Sequence, residues 1–296
     1  MPADIEVIRD LPSMMSADAL RGELQRIAQS NGDEWYRRLE PRKQSESDFH
    51  DRMRDTTHIA SVGRDQYEEF FSNHRFYRTA TLSREYFFNW VSQHSAGKIV
   101  LDFACGDGDV ALRAAAAGAR LAIGIDISKI SVENARRTAG ERGLTERSFF
   151  LRADCENTGL PASSIDVVIC AGVLHHLDVV RAFAEIERIL APGGRVIAFE
   201  ALNYNPLIRL YRNRNAHQRT EWEKAHILSL KELRLARRHF RIGAVRYFHM
   251  ASIGGVWVPG LLPLLNCMDR VLTRIPGVQL MSWMFVFELL SRKATS

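Results

Sequence analysis

Residues 98–118 read KIVLDFACGDGDVALRAAAAG. The opening KIVLDFA (98–104) is a nearly continuous apolar run, the pattern of a strand buried on both faces. The closing DVALRAAAAG (109–118) is rich in helix formers and ends at Gly118, suited to the position just past a helix. Between them, Gly106 and Gly108 set a tight turn. Glycines there let the backbone approach a ligand closely, and the helix that follows offers free N–H groups and a positive dipole end.

The same alternation continues outward. LAIGID (121–126) reads as a second strand. SKISVENARRTAGERG (128–143) reads as a helix with Ser128 as its N-cap. SFFLRAD (148–154) and IDVVICAG (165–172) are a third and a fourth strand. DVVRAFAEIERIL (178–190) is a helix capped by Asp178, and GRVIAFEA (194–201) is a fifth strand after the turn signal APGG. Strand and helix alternating at this spacing predict βαβ units, a parallel sheet and helices on both faces. Ligands in such sheets bind at the carboxyl ends of the strands. That directs attention to the chain after Ala104, to Asp126, to Asp154, and to the stretch after Cys170.

Four acids, Asp102, Asp107, Asp126 and Asp154, fall on that rim. Asp126 closes the second strand, where a carboxylate accepts hydrogen bonds from a ribose diol. Asp154 closes the third, where it can accept from an exocyclic amine, with Ile127 and Cys155 as apolar walls for a ring. A nicotinamide dinucleotide is the rival ligand, and Ala111 is tolerated at the third position of its glycine fingerprint. Acids at Asp102 and Asp107 would repel a pyrophosphate and suit a ligand carrying an ammonium or sulfonium cation.

These motifs strongly resemble those of class I S-adenosylmethionine-dependent methyltransferases. VLDFACGDG (100–108) is similar to their first motif, GIDIS (124–128) to the second, RADCENTGLPASSIDVVICAGVLHHL (152–177) to the third and fourth, and LAPGGRVIAFE (190–200) to the one around strand five. The resemblance is close over about residues 97–201 and nearest to the small-molecule and quinone methyltransferases. It implies a Rossmann-like seven-stranded sheet, mostly parallel with strand seven antiparallel, and S-adenosylmethionine as cofactor with S-adenosylhomocysteine as product. Strand six would be RIGAVRYFHM (241–250) and strand seven SWMFVFELL (282–290). The implied cofactor residues are Asp102, Ala104, Gly106, Gly108, Asp126, Ile127, Asp154, Cys155 and Ala171, with Tyr77 as a lid tyrosine.

His175 and His176 follow the fourth strand, where a methyl acceptor would approach. An acceptor hydroxyl must lose a proton, and histidine is the natural base near neutral pH. Glu200, ending strand five, faces the same rim. NYNP (203–206) follows strand five rather than strand four, unlike the motif of amino-methylating nucleic-acid enzymes. It reads as a turn opening a helix with Pro206 at its first position.

Composition frames these motifs. The 296 residues are 46% hydrophobic and 25% charged, which excludes a wholly disordered chain. Net charge is +5, but residues 201–296 hold 15 basic and 5 acidic side chains. A basic C-terminal third suits an anionic substrate or surface. Cys105, Cys155, Cys170 and Cys267 form no CxxC pair, which predicts reduced thiols, no metal site and a cytoplasmic setting. The first residues carry early acids and lack an apolar run, so no signal peptide is expected.

Of 27 Phe, Trp and Tyr residues, 12 lie in 1–97 and 10 in 201–296. Aromatics outside the cofactor core predict an apolar pocket built over the strand ends. The expected organisation is an N-terminal helical lid over 1–97, with helix-like stretches at 17–30, 64–72 and 83–93, then a cofactor-binding core over 98–250. An apolar insertion over 251–281 and the last strand and tail over 282–296 complete it. In the insertion Leu261, Leu262, Leu264, Leu265, Met268, Val271 and Leu272 oppose Arg270 and Arg274. Upstream lie Arg209, Arg212, Arg214 and Arg219, then a basic helix opened by a Ser229/Glu232 capping box. An insertion beside that helix would cap an acceptor, form a dimer interface or rest on a membrane. The resulting expectation is methylation of a small lipophilic or anionic acceptor, at oxygen before carbon or nitrogen, with a histidine base. An RNA methyltransferase and a non-catalytic cofactor-binding protein are the competing readings; no nucleic-acid partner is expected.

Overall fold

The computed structural model describes residues 15–55, 74–215 and 220–294; the expected helix at 64–72 and Arg219 lie outside them. Seven strands form one sheet in the order β3-β2-β1-β4-β5-β7-β6. They are β1 (Ile99–Phe103), β2 (Leu121–Asp126), β3 (Ser148–Arg152), β4 (Ile165–Ala171), β5 (Leu190–Ala201), β6 (Phe240–Phe248) and β7 (Met284–Ser291). β1 to β5 pair in parallel, and β7 runs antiparallel to both β5 and β6. β1 and β2 are buried along their whole length, as their unbroken apolar runs require. The order reverses between β1 and β4, and that switch point opens the crevice where a ligand fits.

The caps follow from local chemistry. Ser128 Oγ accepts the Ser131 N–H, and the Asp178 carboxylate accepts from Val180 and Arg181. Asn205 caps a helix, Pro206–Arg214, that begins with Pro206. Strand five begins earlier than expected, at Leu190. The APGG stretch is drawn into the sheet edge, with a register shift opposite Ile165/Val167 and Gly193 at φ 72° absorbing the bend.

The first third of the chain is not one cap. Helix Ala17–Ser30 packs on β3 and sends Leu20 and Leu24 into the main core. Helix Thr81–Ser95 covers the opposite sheet face through Phe87, Trp90 and Val91. Helix Pro41–Arg54 lies across the strand ends, as do Phe76 and Tyr77.

The insertion is also placed differently from the sequence expectation. The capping-box helix, Leu230–Ala236, leads into the start of β6, whereas the insertion leaves its end. A nine-residue strand separates them by roughly 30 Å. The basic helix and the apolar insertion are therefore not neighbours. Inside the insertion, helix Leu262–Leu272 is anchored by Asp269, 1% exposed, whose carboxylate accepts the N–H groups of Met250, Ala251 and Ser252. Beside it the buried His249 ring bridges Ser83 Oγ at 2.7 Å and Ser252 Oγ at 2.8 Å. Burial holds His249 down to about 4, so it stays neutral. Among the described residues no helix is long and apolar enough to cross a membrane.

Candidate active site

The strand ends carry two cavities that share no lining residue. The smaller, about 110 Å³, is bounded by Ala104, Asp126, Ile127, Asp154, Cys155 and Ala171, all named from the sequence, and by His176. Asp126 Oδ2 accepts the Gly106 N–H and Oδ1 the Ser128 N–H, each at 2.8 Å. Each oxygen keeps a lone pair for a further donor. Gly106 and Gly108 hold φ of 52° and 82°, conformations that L side chains rarely adopt. A Cβ on Gly106 would stand 2.8 Å from the Arg54 guanidinium, so the bare backbone shapes this cradle.

Asp102 plays a different part from the one expected. It is 1% exposed and accepts the Ala111 N–H at 3.0 Å, bracing the first helix from below. Burial raises its carboxyl to about 7. Asp107 is exposed, reaching Asn134 and Arg54. The acidic rim is thus Asp126 and Asp154.

Helix Pro41–Arg54 forms the cavity's outer wall, and sequence reasoning missed it. Lys43 Nζ lies 2.6 Å from Asp154 Oδ2 and 2.9 Å from Glu156 Oε2. Arg42 pairs with Glu156 and stacks over Trp222. Glu46, His50 and Arg54 complete the wall. Glu46 Oε2 sits 3.1 Å from His176 Nδ1, and this hydrogen bond raises the His176 pKa against the desolvation that opposes it. His50, pushed well down by burial, stays neutral beside them. Ligand atoms of Glu46, His50 and His176 lie within 4.8 Å of one another, a cluster the sequence reading did not foresee. Arg42, Lys43 and Arg54 line the same cavity and oppose a cation there. A signal did exist: Lys43, Glu46, His50 and Arg54 recur at helical spacing, a polar stripe on a helix whose buried residues are all polar.

The larger cavity, about 380 Å³, lies over the ends of β4 and β5. That is within the roughly 300–1,000 Å³ usual for small-molecule sites. Its walls are largely apolar, with Phe76, Ile208, Ile253, Trp257 and Trp283 prominent, while His175, Tyr211, Arg212 and Glu223 bring polar groups to it. Tyr77 belongs here rather than to the cofactor cavity; its ring packs on Trp283 at 5.1 Å. The insertion residues Ala251, Ile253, Gly254 and Trp257 close one side.

His175 and His176 occupy one 3-10 turn, Leu174–His176, yet they face different cavities. Glu200 decides the posture of His175. It is fully buried, Oε1 accepts the Val173 and Leu174 N–H groups at 2.8 and 2.7 Å, and Oε2 lies 2.7 Å from His175 Nδ1. With Nδ1–H bound to the carboxylate, the Nε2 lone pair is left on the cavity side, 3.9 Å from Glu223 Oε1. Glu200 itself is 0% exposed and has no open face for a substrate. Cys105, Cys155 and Cys170 are buried free thiols, each raised by burial, and Cys267 is free and exposed.

Residues 101–198 match the family model described as a methyltransferase domain. Over 102 residues the chain is 37% identical to 27-O-demethylrifamycin SV methyltransferase of Amycolatopsis mediterranei, covering 34% of this chain and 38% of that protein. Over 113 residues it is 40% identical to demethylmenaquinone methyltransferase of Thermus thermophilus, covering 37% and 50%. The chain thus spans half or less of the length of these two relatives. The solved geranyl diphosphate C-methyltransferase of Streptomyces coelicolor shares the fold, with a TM-score of 0.58 at 15% identity, over 86% of this chain and 100% of that one. Residues 101–198 therefore belong to the methyltransferase domain family, and the fold built around them is that of the class I S-adenosylmethionine-dependent methyltransferases.

Proposed function

We propose that this protein methylates a small lipophilic acceptor at oxygen, with S-adenosylmethionine as donor and His175 as base. The observation that carries the reading is the Glu200–His175 pair, buried on the carboxylate side and open to an apolar cavity on the other. The smaller cavity carries the polar groups an adenosine needs, and at about 110 Å³ it has to open, Lys43 withdrawing, to admit the cofactor. Asp126 would accept from a ribose diol, Asp154 from the adenine amine, and Ile127 and Cys155 would flank the ring. The bare backbone at Gly106, beside the cavity-lining Arg54, and the two converging carboxylates fit such a ligand, provided Lys43 leaves Asp154. Bound S-adenosylmethionine supplies a methyl group on a sulfonium centre.

The protein's own residues do the rest. His175 Nε2 takes the proton that the acceptor hydroxyl gives up, and Glu200 holds the ring in the tautomer able to do so. Phe76, Trp257 and Trp283 exclude water and hold an apolar body. Tyr211, Arg212 and Glu223 offer polar contacts to its head. The names of the two relatives, an O-demethylated rifamycin and a demethylmenaquinone methyltransferase, also point to small-molecule acceptors.

The test is calorimetric titration with S-adenosylmethionine, then S-adenosylhomocysteine release with a panel of lipophilic phenols. Turnover should appear with phenols and fall roughly 10²- to 10⁴-fold in His175→Ala, with cofactor affinity retained. Turnover unaffected by His175→Ala would overturn the assignment of the base. Failure of the wild type to bind S-adenosylmethionine would overturn the reading as a whole.

A further inference from the structure

The insertion helix turns an apolar stripe outward. Leu261, Leu264, Met268, Val271 and Ile275 recur at intervals of three and four residues, and all are exposed, Leu264 at 59% and Val271 at 62%. Helix residues at this spacing lie along one face. A single exposed leucine needs no explanation, but an aligned row is a surface built for contact. The row does not end with the helix. Trp257 at 67% and Leu207 at 75% are also exposed, and both line the mouth of the larger cavity.

Charge selects the occupant. From Leu233 to Phe287 the only acidic side chain in the sequence is Asp269, and it is buried on three backbone N–H groups. Arg270 and Arg274 are exposed roughly 140° and 100° round the helix from the middle of the stripe, in a surface pocket that also holds the exposed Glu85. Arg209 and Arg214 are exposed on the helix that carries Leu207 and Leu210. An apolar face that carries no exposed carboxylate of its own, with the exposed Arg209 and Arg214 on the helix of Leu207, matches an anionic bilayer, where the apolar row enters the acyl boundary and the guanidinium groups meet phosphates.

We propose that the face formed by Leu261, Leu264, Met268, Val271 and Trp257 docks this protein on an anionic membrane surface, so that the larger cavity opens toward the lipid. An acceptor dissolved in the bilayer then enters past Leu207 and Trp257 without crossing water. That delivery rests on the reading of the cavity as the acceptor site; the docking does not.

The experiment is co-sedimentation of the full chain with phosphatidylcholine vesicles, with and without phosphatidylglycerol, at low and high salt. The protein should pellet with the anionic vesicles, and less so as salt screens the arginines. Arg209→Gln with Arg214→Gln should weaken binding about fivefold per arginine. Leu264→Glu with Val271→Glu should abolish it, and Leu264→Ser with Val271→Ser should weaken it. All four side chains project outward, so S-adenosylmethionine affinity and circular dichroism should match wild type in every variant. Absence of pelleting with anionic vesicles would overturn the proposal. So would a concentration-dependent dimer, seen by analytical ultracentrifugation, that Leu264→Glu dissociates while vesicle binding persists. Vesicle binding needs neither cofactor nor acceptor, so its failure is separable from failure of the methyl-transfer reading.

Discussion

Replacing Glu200 by glutamine isolates the posture of His175 from everything else at the site. The side chain keeps its size, and its carbonyl oxygen can still accept the Val173 and Leu174 N–H groups. Its amide nitrogen must then face His175 Nδ1, which can no longer donate. The ring adopts the other tautomer, with hydrogen on Nε2, and the cavity side loses its base. The bond removed, 2.7 Å long, is charge-assisted once the imidazole takes a proton. Such bonds contribute about 1.5–3 kcal/mol, and 1.36 kcal/mol is tenfold in rate. We expect kcat to fall roughly 10- to 150-fold. Because the two cavities share no lining residue, the Kd for S-adenosylmethionine should stay within about twofold of wild type. Single-turnover release of S-adenosylhomocysteine reads the first quantity and calorimetry the second. Wild-type turnover in a folded Glu200→Gln variant would refute the role of Glu200 as a positioning residue. Glu200→Ala is a poorer probe, since it strands two buried N–H donors at about 1–3 kcal/mol each.

Three further outcomes follow. Lys43→Met should free Asp154 of its ammonium partner and tighten S-adenosylmethionine binding about tenfold by calorimetry; weaker binding would mean that Lys43 helps hold the ligand. Asp102, raised to about 7 by burial, holds its proton in the folded protein after the unfolded chain has released it, so stability should fall as pH rises from about 4 to 7. The loss is on the order of 4 kcal/mol, and thermal melts of Asp102→Asn should lack it while those of wild type show it. His249, lowered to about 4, carries the opposite sign: stability present above the unfolded histidine value is lost as pH falls from about 6.5 toward 4. Amide protection factors over 249–272, corrected for the intrinsic pH dependence of exchange, should therefore fall selectively at pH 5, and protection factors equal at pH 7 and 5 would contradict that linkage.

Much of the sheet was legible because β1 and β2 are buried on both faces and must be apolar throughout. The caps Ser128, Asp178 and Ser229 were legible for a related reason: each is a short polar side chain at a boundary where free N–H groups need an acceptor. The rim at Asp126 and Asp154 followed from strand ends. The role of Asp102 did not, because a carboxylate one turn below the rim looks the same in sequence as one upon it. Tyr77 was placed at the cofactor, yet its ring packs on Trp283, a contact across more than two hundred residues that no local pattern carries. Helix Pro41–Arg54 escaped for the converse reason. Its buried groups are charged, so hydrophobic periodicity is silent, and its partners Asp154, Glu156 and His176 come from distant strand ends. The division of labour between His175 and His176 depends on Glu200 and Glu46, and each histidine was a candidate base until those contacts were visible.

The three-residue turn Leu174–His176 has a further consequence. Adjacent residues of a 3-10 turn diverge by about 120°, so one turn supplies a wall to both chambers, and the proposed methyl transfer has to pass beside it. On the proposed reading, nucleotide and acceptor are held by two different sets of side chains. Substitutions that reshape the acceptor chamber, among Ile208, Ile253 and Trp257, leave the nucleotide chamber's walls untouched. The same machinery can be refitted to a new acceptor one side chain at a time.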